Sequence, residues 1–128
     1  MEIVTNNPIR PDDVYRLIDS GNAGSVVFHF AVVRGTTGEK QTSIIEFQPV
    51  KDNNDTREEL HQISDEIRKK WEVDDVLIIR AIGKLAVGDV MSLVAVSSPR
   101  SMAAFEASHY GVDRLKEMKT ILKQETFR

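Results

Sequence analysis

The stretch Val76–Val96, VLIIRAIGKLAVGDVMSLVAV, decides the fold class. Val76–Ile82 and Val90–Val96 are aliphatic, β-branched runs of strand length, and Gly83–Asp89 connects them with Gly88-Asp89 as the turn signal. Upstream, Ser25–Arg34 (SVVFHFAVVR) is another run dense in β-branched and aromatic residues and reads as a buried strand. Gly35–Lys40 is a turn, after which Thr42–Phe47 pairs back as a further strand.

Helical patterns separate these strands. Arg10-Pro11-Asp12-Asp13, followed by Val14, Leu17 and Ile18, predicts a short helix with proline and acids in its first turn. Thr56-Arg57-Glu58-Glu59 has the form of a capping box, and Leu60, Ile63, Ile67 and Trp71 fall on one face of the helix it opens. Asp52-Asn53-Asn54-Asp55 looks like a calcium loop but lacks the glycine at its sixth position and the glutamate at its twelfth. Ser98-Pro99 opens a long final helix, with Phe105, Val112, Leu115 and Leu122 as its inward stripe. Helix, strands, helix, strands, helix is an α+β order rather than a repeating βαβ one.

The bulk numbers narrow the function classes. A chain of 128 residues suits one domain, spanning 1–128, with a real core. The net charge of −3 argues against a surface built for nucleic acid or an anionic membrane, so any anionic ligand needs a local cluster. There is no cysteine, which excludes disulfides, thiolate metal sites and a cysteine nucleophile. Any sulfur handled here must arrive on another molecule. No apolar run approaches the roughly 20 residues of a membrane span and no signal-peptide pattern is visible, so the expectation is a cytoplasmic protein.

Candidate binding groups are cations. Lys116 and Lys123 lie seven apart, each directly after an inward leucine, which on one helix puts both amines at the shoulder of the buried stripe. Amines there bind phosphate or carboxylate, or shuttle protons if desolvated. The plainer alternative is a solvated basic face near a helix C-terminus, and spacing alone favours it. Arg34 ends an apolar strand at a glycine-containing loop and Arg100 stands in the first turn of the last helix; each suits anion binding, but the residues alone favour a plain polar strand terminator for Arg34, and Arg100 is equally an ordinary exposed arginine. His29, His61 and His109 have no ligand spacing, His29 reading as a hydrogen-bonded core residue, and no metal site or cofactor is expected.

Several collinear segments resemble the large, catalytic subunit of molybdopterin synthase. They are Val26-Val27 through Val32-Val33-Arg34-Gly35, Ile45-Glu46, Arg68–Trp71, Ile82–Asp89 (IGKLAVGD), Val96-Ser97-Ser98, Ala104–Ala107 (AFEA), Leu115-Lys116 and Lys123-Gln124-Glu125. The resemblance implies an α/β-hammerhead-type fold with an additional antiparallel sheet. It implies a homodimer at the centre of a heterotetramer, with a small ubiquitin-like sulfur-carrier subunit at each end. The carrier's C-terminal thiocarboxylate would give its sulfur to cyclic pyranopterin monophosphate to form the dithiolene of molybdopterin. By position, Lys116 and Lys123 match the family's active-site lysines and Arg34 its strand-end arginine; Arg100-Ser101 stands where an anion-binding His-Arg pair is usual. The resemblance gives Lys116 the carrier's terminal carbonyl, and Lys123 proton transfer at the pterin or a hold on its phosphate. The chain departs from the pattern at that pair, at Thr120-Ile121-Leu122 in place of Pro-x-Trp, and at Ala31 in place of a glycine. These departures keep a second reading in view, a non-catalytic module that docks a ubiquitin-like sulfur carrier.

Overall fold

The computed structural model describes residues 1–128. The expected α+β architecture is present, as two sheets and three α-helices. The first sheet has the order β1 (Glu2–Thr5), β5 (Asp75–Ala81), β7 (Val90–Ser98), β2 (Ser25–Val32), with β1 parallel to β5 and the other pairs antiparallel. The second sheet is built around β4 (Lys40–Pro49), which pairs with β6 (Gly83–Ala86) and β8 (Ile121–Phe127) and forms a short hairpin with β3 (Thr36–Thr37). No helix is long and apolar enough to cross a membrane.

Alternation along the central strands sorts their side chains to two cores. Leu77, Ile79, Ala81, Leu93 and Ala95 face one way, towards Ile45, Phe47 and Leu85 of the second sheet and towards Val14 of α1 (Pro11–Val14). Val76, Ile78, Val94 and Val96 face the other way, against α2 (Asn53–Lys70) and α3 (Ser101–Leu115). Leu60, Ile63 and Ile67 of α2 are fully buried there, as their spacing predicts, each contributing about 1.5–3 kcal/mol by leaving water. Helix α3 lies close to the sheet because its inner stripe is small: Ala104, Ala107, Ser108 and Gly111. A Cβ at Gly111 would meet Val94 Cγ1 at 2.9 Å.

Four details differ from the sequence reading. The connector Gly83–Asp89 carries a strand of its own, β6, because Gly83 at φ +92° turns the chain out of the first sheet directly into the second. Helix α2 begins at Asn53 and not at a Thr56 capping box: Asp52 is the cap, its Oδ1 accepting from Asp55 N at 2.7 Å, and Glu59 is used elsewhere. The final helix stops at Leu115, and Thr120–Phe127 becomes the approach to β8 and the strand itself. Phe105 and Leu122 are consequently exposed instead of inward: Phe105 lies off the small-residue stripe, and Leu122 points outward from β8. The strand β1 carried no recognisable pattern beforehand.

Candidate active site

The shortened last helix is what creates a cavity. Lys116 is the C-cap of α3, and Glu117 N and Met118 N donate to Arg114 O and Leu115 O in a tightening final turn. The chain is then caught by Glu59 of α2. Its carboxylate accepts from Lys119 N at 2.9 Å, Thr120 N at 3.0 Å and Thr120 Oγ1 at 2.5 Å. Thr120 O in turn accepts from Val50 N at 2.8 Å, which sets β8 in register on β4. One buried-edge carboxylate thus ends a helix and starts a strand, and these contacts come from residues some 60 positions away.

Between the end of α3, β8 and the helix-facing side of the first sheet lies a cavity of about 340 Å³, the lower end of the range of small-molecule sites. Lys116 and Lys123 both line it, one from the helix end and the other from β8, where Lys123 pairs with Phe47 of β4. The sequence reading brought these lysines together on one helix. The structure brings them together from two elements, across a turn.

Lys123 is oriented by a carboxylate. Its Nζ lies 3.8 Å from Glu125 Oε1, and Glu125 Oε2 accepts from Thr37 Oγ1 at 2.6 Å and Thr42 Oγ1 at 2.7 Å. Those two hydroxyl bonds hold the Glu125 carboxyl below the ordinary range, with Lys123 and Arg34 adding to the effect. Glu125 therefore stays ionised beside Lys123.

The other expected cations sit elsewhere. Arg34 follows the end of β2, is exposed, and neighbours Glu125 without lining the cavity. Arg100 is the N-cap residue of α3 and Ser101 its first residue, at the end of the helix opposite Lys116. Fifteen residues of α-helix span roughly 22 Å, so Arg100 and Ser101 do not reach this cavity within one chain. The Arg100 side chain is exposed and lies 3.8 Å from Glu72. His29 faces the helices, and its Nδ1 has no hydrogen-bond partner, contrary to the expectation of a bonded core histidine.

One cation in the cavity wall was missed altogether. Arg80 is 9% exposed, on β5. The available signal was a single charge inside the apolar run VLIIRAI, at the phase that buries Val76 and Ile78.

A family model described as "MoaE protein" matches residues 4–118. The chain belongs to this family. It is 32% identical over 122 residues to the molybdopterin synthase catalytic subunit of Bacillus subtilis (strain 168), covering 95% of this chain and 76% of that one. The crystal structure of molybdopterin synthase from Staphylococcus aureus superimposes with a TM-score of 0.88 at 30% identity, over 98% of this chain and 90% of that one. A complex of subunits 1 and 2 of molybdopterin-converting factor from Helicobacter pylori 26695 shares the fold, with a TM-score of 0.73 at 10% identity over 99% and 85% of the two chains. In this MoaE protein Lys116 and Lys123 line one cavity, although the route the backbone takes between them was not legible beforehand.

Proposed function

We propose that this MoaE protein is the catalytic subunit of a molybdopterin synthase, and that its lysine-lined cavity is where sulfur passes to cyclic pyranopterin monophosphate. The donor is the C-terminal thiocarboxylate of a small ubiquitin-like sulfur-carrier subunit. The observation that carries the reading is the convergence of Lys116 and Lys123 on one cavity from separate elements. The absence of cysteine agrees with it, since the sulfur arrives on the partner.

The chemistry asks for cations at two places. The thiocarboxylate sulfur bonds to an oxygen-bearing side-chain carbon of the pterin as that carbon's bond to oxygen breaks. The oxygen takes up a proton and leaves as water or stays on the opened phosphate ester, and the carrier is left attached to the pterin through the acyl–sulfur bond of a thioester. Water then cleaves that bond, returning the carrier as a carboxylate and leaving sulfur on the pterin; a second carrier repeats the step. Negative charge builds on the acyl oxygen during hydrolysis, and Lys116 is the group assigned to stabilise it. Lys123, steadied by Glu125, is assigned to proton transfer at the pterin. Arg34 is assigned to the substrate's anionic groups as they approach the mouth. Arg100 and Ser101 can serve a substrate in this cavity only if a second copy of the chain supplies them, which is a use for the expected homodimer within a heterotetramer.

The test is reconstitution from the purified protein, a thiocarboxylated carrier and cyclic pyranopterin monophosphate, with molybdopterin as the readout. Product that falls by about a hundredfold or more in Lys116→Ala and in Lys123→Ala supports the assignment. No product from the unaltered protein, despite a stable carrier complex, overturns it in favour of a docking module.

A further inference from the structure

We propose that Arg80 is a substrate-binding residue on the floor of this cavity, where its guanidinium grips the phosphate of the pterin substrate; this rests on the synthase reading above. Arg80 lies on the helix-facing side of the first sheet, in register with Ser92 of β7, which is in register with Ala31 of β2. The row Ala31–Ser92–Arg80 lines the cavity with two small side chains beside a long one, leaving open space next to the guanidinium. The two preceding residues of that face, Val76 and Ile78, are sealed in the apolar core.

Nothing in the chain neutralises this charge. Arg80 Nε is buried without a hydrogen-bond partner, and burial is the one influence on its protonation, drawing it down to about 10. It therefore remains a cation at neutral pH. Its only close partner is the Phe47 ring, whose centroid lies 4.3 Å from the guanidinium carbon. A ring below fixes the plane of the guanidinium and leaves its N–H edges for an acceptor. No carboxylate lines the cavity, whereas Arg80, Lys116 and Lys123 all do. An unpaired buried cation costs a fold free energy, so its favourable partner must be a ligand anion.

Depth decides which anion. Lys116 and Lys123 are exposed at the mouth, where a protein tail enters. Arg80 lies beneath them, within reach of a compact substrate that enters the cavity. A planar fork of donors suits the two free oxygens of a cyclic phosphodiester.

Titration calorimetry of the unaltered protein, Arg80→Met and Arg80→Lys separates the possibilities, with three probes: cyclic pyranopterin monophosphate, inorganic phosphate and the carboxylate form of the carrier subunit. Arg80→Met is expected to weaken pterin binding about ten- to a hundredfold, to leave carrier affinity unchanged, and to melt no lower than the unaltered protein. Arg80→Lys should fall between them. Unchanged pterin affinity in Arg80→Met overturns the proposal, and so does a loss confined to the carrier titration, which would put the carrier's carboxylate on Arg80. If the unaltered protein binds phosphate through Arg80 but does not bind the pterin, the synthase reading fails while an oxyanion site at Arg80 stands. If Arg80→Met does not fold, Arg80→Gln carries the same comparison, and failure of both to fold makes Arg80 structural and overturns the proposal.

Discussion

Two adjacent zones on one side of one sheet have opposite characters. Val76 and Val96, and Ile78 and Val94, form in-register pairs sealed beneath Leu60, Ile63 and Ile67 of α2 and Ala107 of α3. The next pair along the same strands is Arg80 and Ser92, and it faces a cavity. Pleat, strands and alternation are the same in both. What changes is the cover: α3 ends at Leu115, and the chain swings away to β8 where the helix would have continued. The cavity exists because part of a core face is left without its cover, and the polar residues Arg80 and Ser92 occupy the row that is left uncovered.

The largest expected effect lies in the open zone and concerns chemistry alone. Lys116→Ala and Lys123→Ala should each reduce molybdopterin formation by about a hundred- to a thousandfold, with melting temperatures held to within a few degrees. Both side chains are exposed, so little packing is lost. A variant that loses stability in parallel with turnover would erase the distinction between the zones.

In the closed zone the same kind of truncation should act on the fold. Ile78→Ala removes a fully buried side chain of β5 from beneath the two helices, and a loss of about 2–5 kcal/mol by urea denaturation is expected. Ser92→Ala, one pair further along, breaks no side-chain hydrogen bond and should change stability by less than about 1 kcal/mol. Equal losses at Ile78 and Ser92 would mean that the row beside the cavity is packed as tightly as the core.

The boundary between the zones is Glu59. Glu59→Ala leaves Lys119 N, Thr120 N and Thr120 Oγ1 without their acceptor, at a cost of about 1–3 kcal/mol. It should also cut turnover, because the same carboxylate places the lysines on either side of the turn. Amide hydrogen exchange localises the effect: faster exchange at residues 119–123 with α2 unchanged is expected, and uniform acceleration over the chain would reduce Glu59 to a general stabiliser.

This boundary also explains what could be read in advance. The strands 76–82, 90–96, 25–34 and 42–47 were legible because their hydrophobic runs feed cores that need no other information. The inner face of α2 was legible for the same reason, in Leu60, Ile63 and Ile67. The end of α3 was not, because neither glycine nor proline marks it and the stop is imposed by a glutamate on another helix. Thr120–Phe127 (TILKQETF) has no apolar–polar alternation to announce a strand, and Lys116 and Lys123 at seven-residue spacing imitate a helix face. The two lysines were singled out by their spacing and given roles by the family resemblance, and their shared location came only with the tertiary structure. Arg80 was visible as a charge out of place, a signal without meaning until the cover over it was known to be missing.

The smallest effect concerns the clamp that holds the cover over the closed zone. Glu66 on α2 accepts from Arg114 Nε at 2.8 Å, Arg114 Nη2 at 3.1 Å and Tyr110 Oη at 2.5 Å, all from α3. The Arg114 hydrogen bonds, aided by Tyr110, hold the Glu66 carboxyl at about 2 against its ordinary 4.5, while Arg114 is pushed upward by the same contact. A carboxyl depressed in the folded state stabilises the fold above its unfolded value and loses that contribution as pH falls through its folded value. The window for Glu66 therefore runs from about pH 4.5 down to about pH 2. The pair is partly exposed, so after solvent screening its contribution is about 1 kcal/mol. Glu2 and Glu125 are also depressed, and acid will weaken the chain through them as well. Subtraction isolates the clamp: between pH 5 and pH 3, Glu66→Gln should lose less stability in urea than the unaltered protein does. If both lose the same amount, the two helices are held over the closed zone by apolar packing alone, and the ion pair decorates a cover that Leu60, Ile63, Ile67 and Ala107 already keep shut.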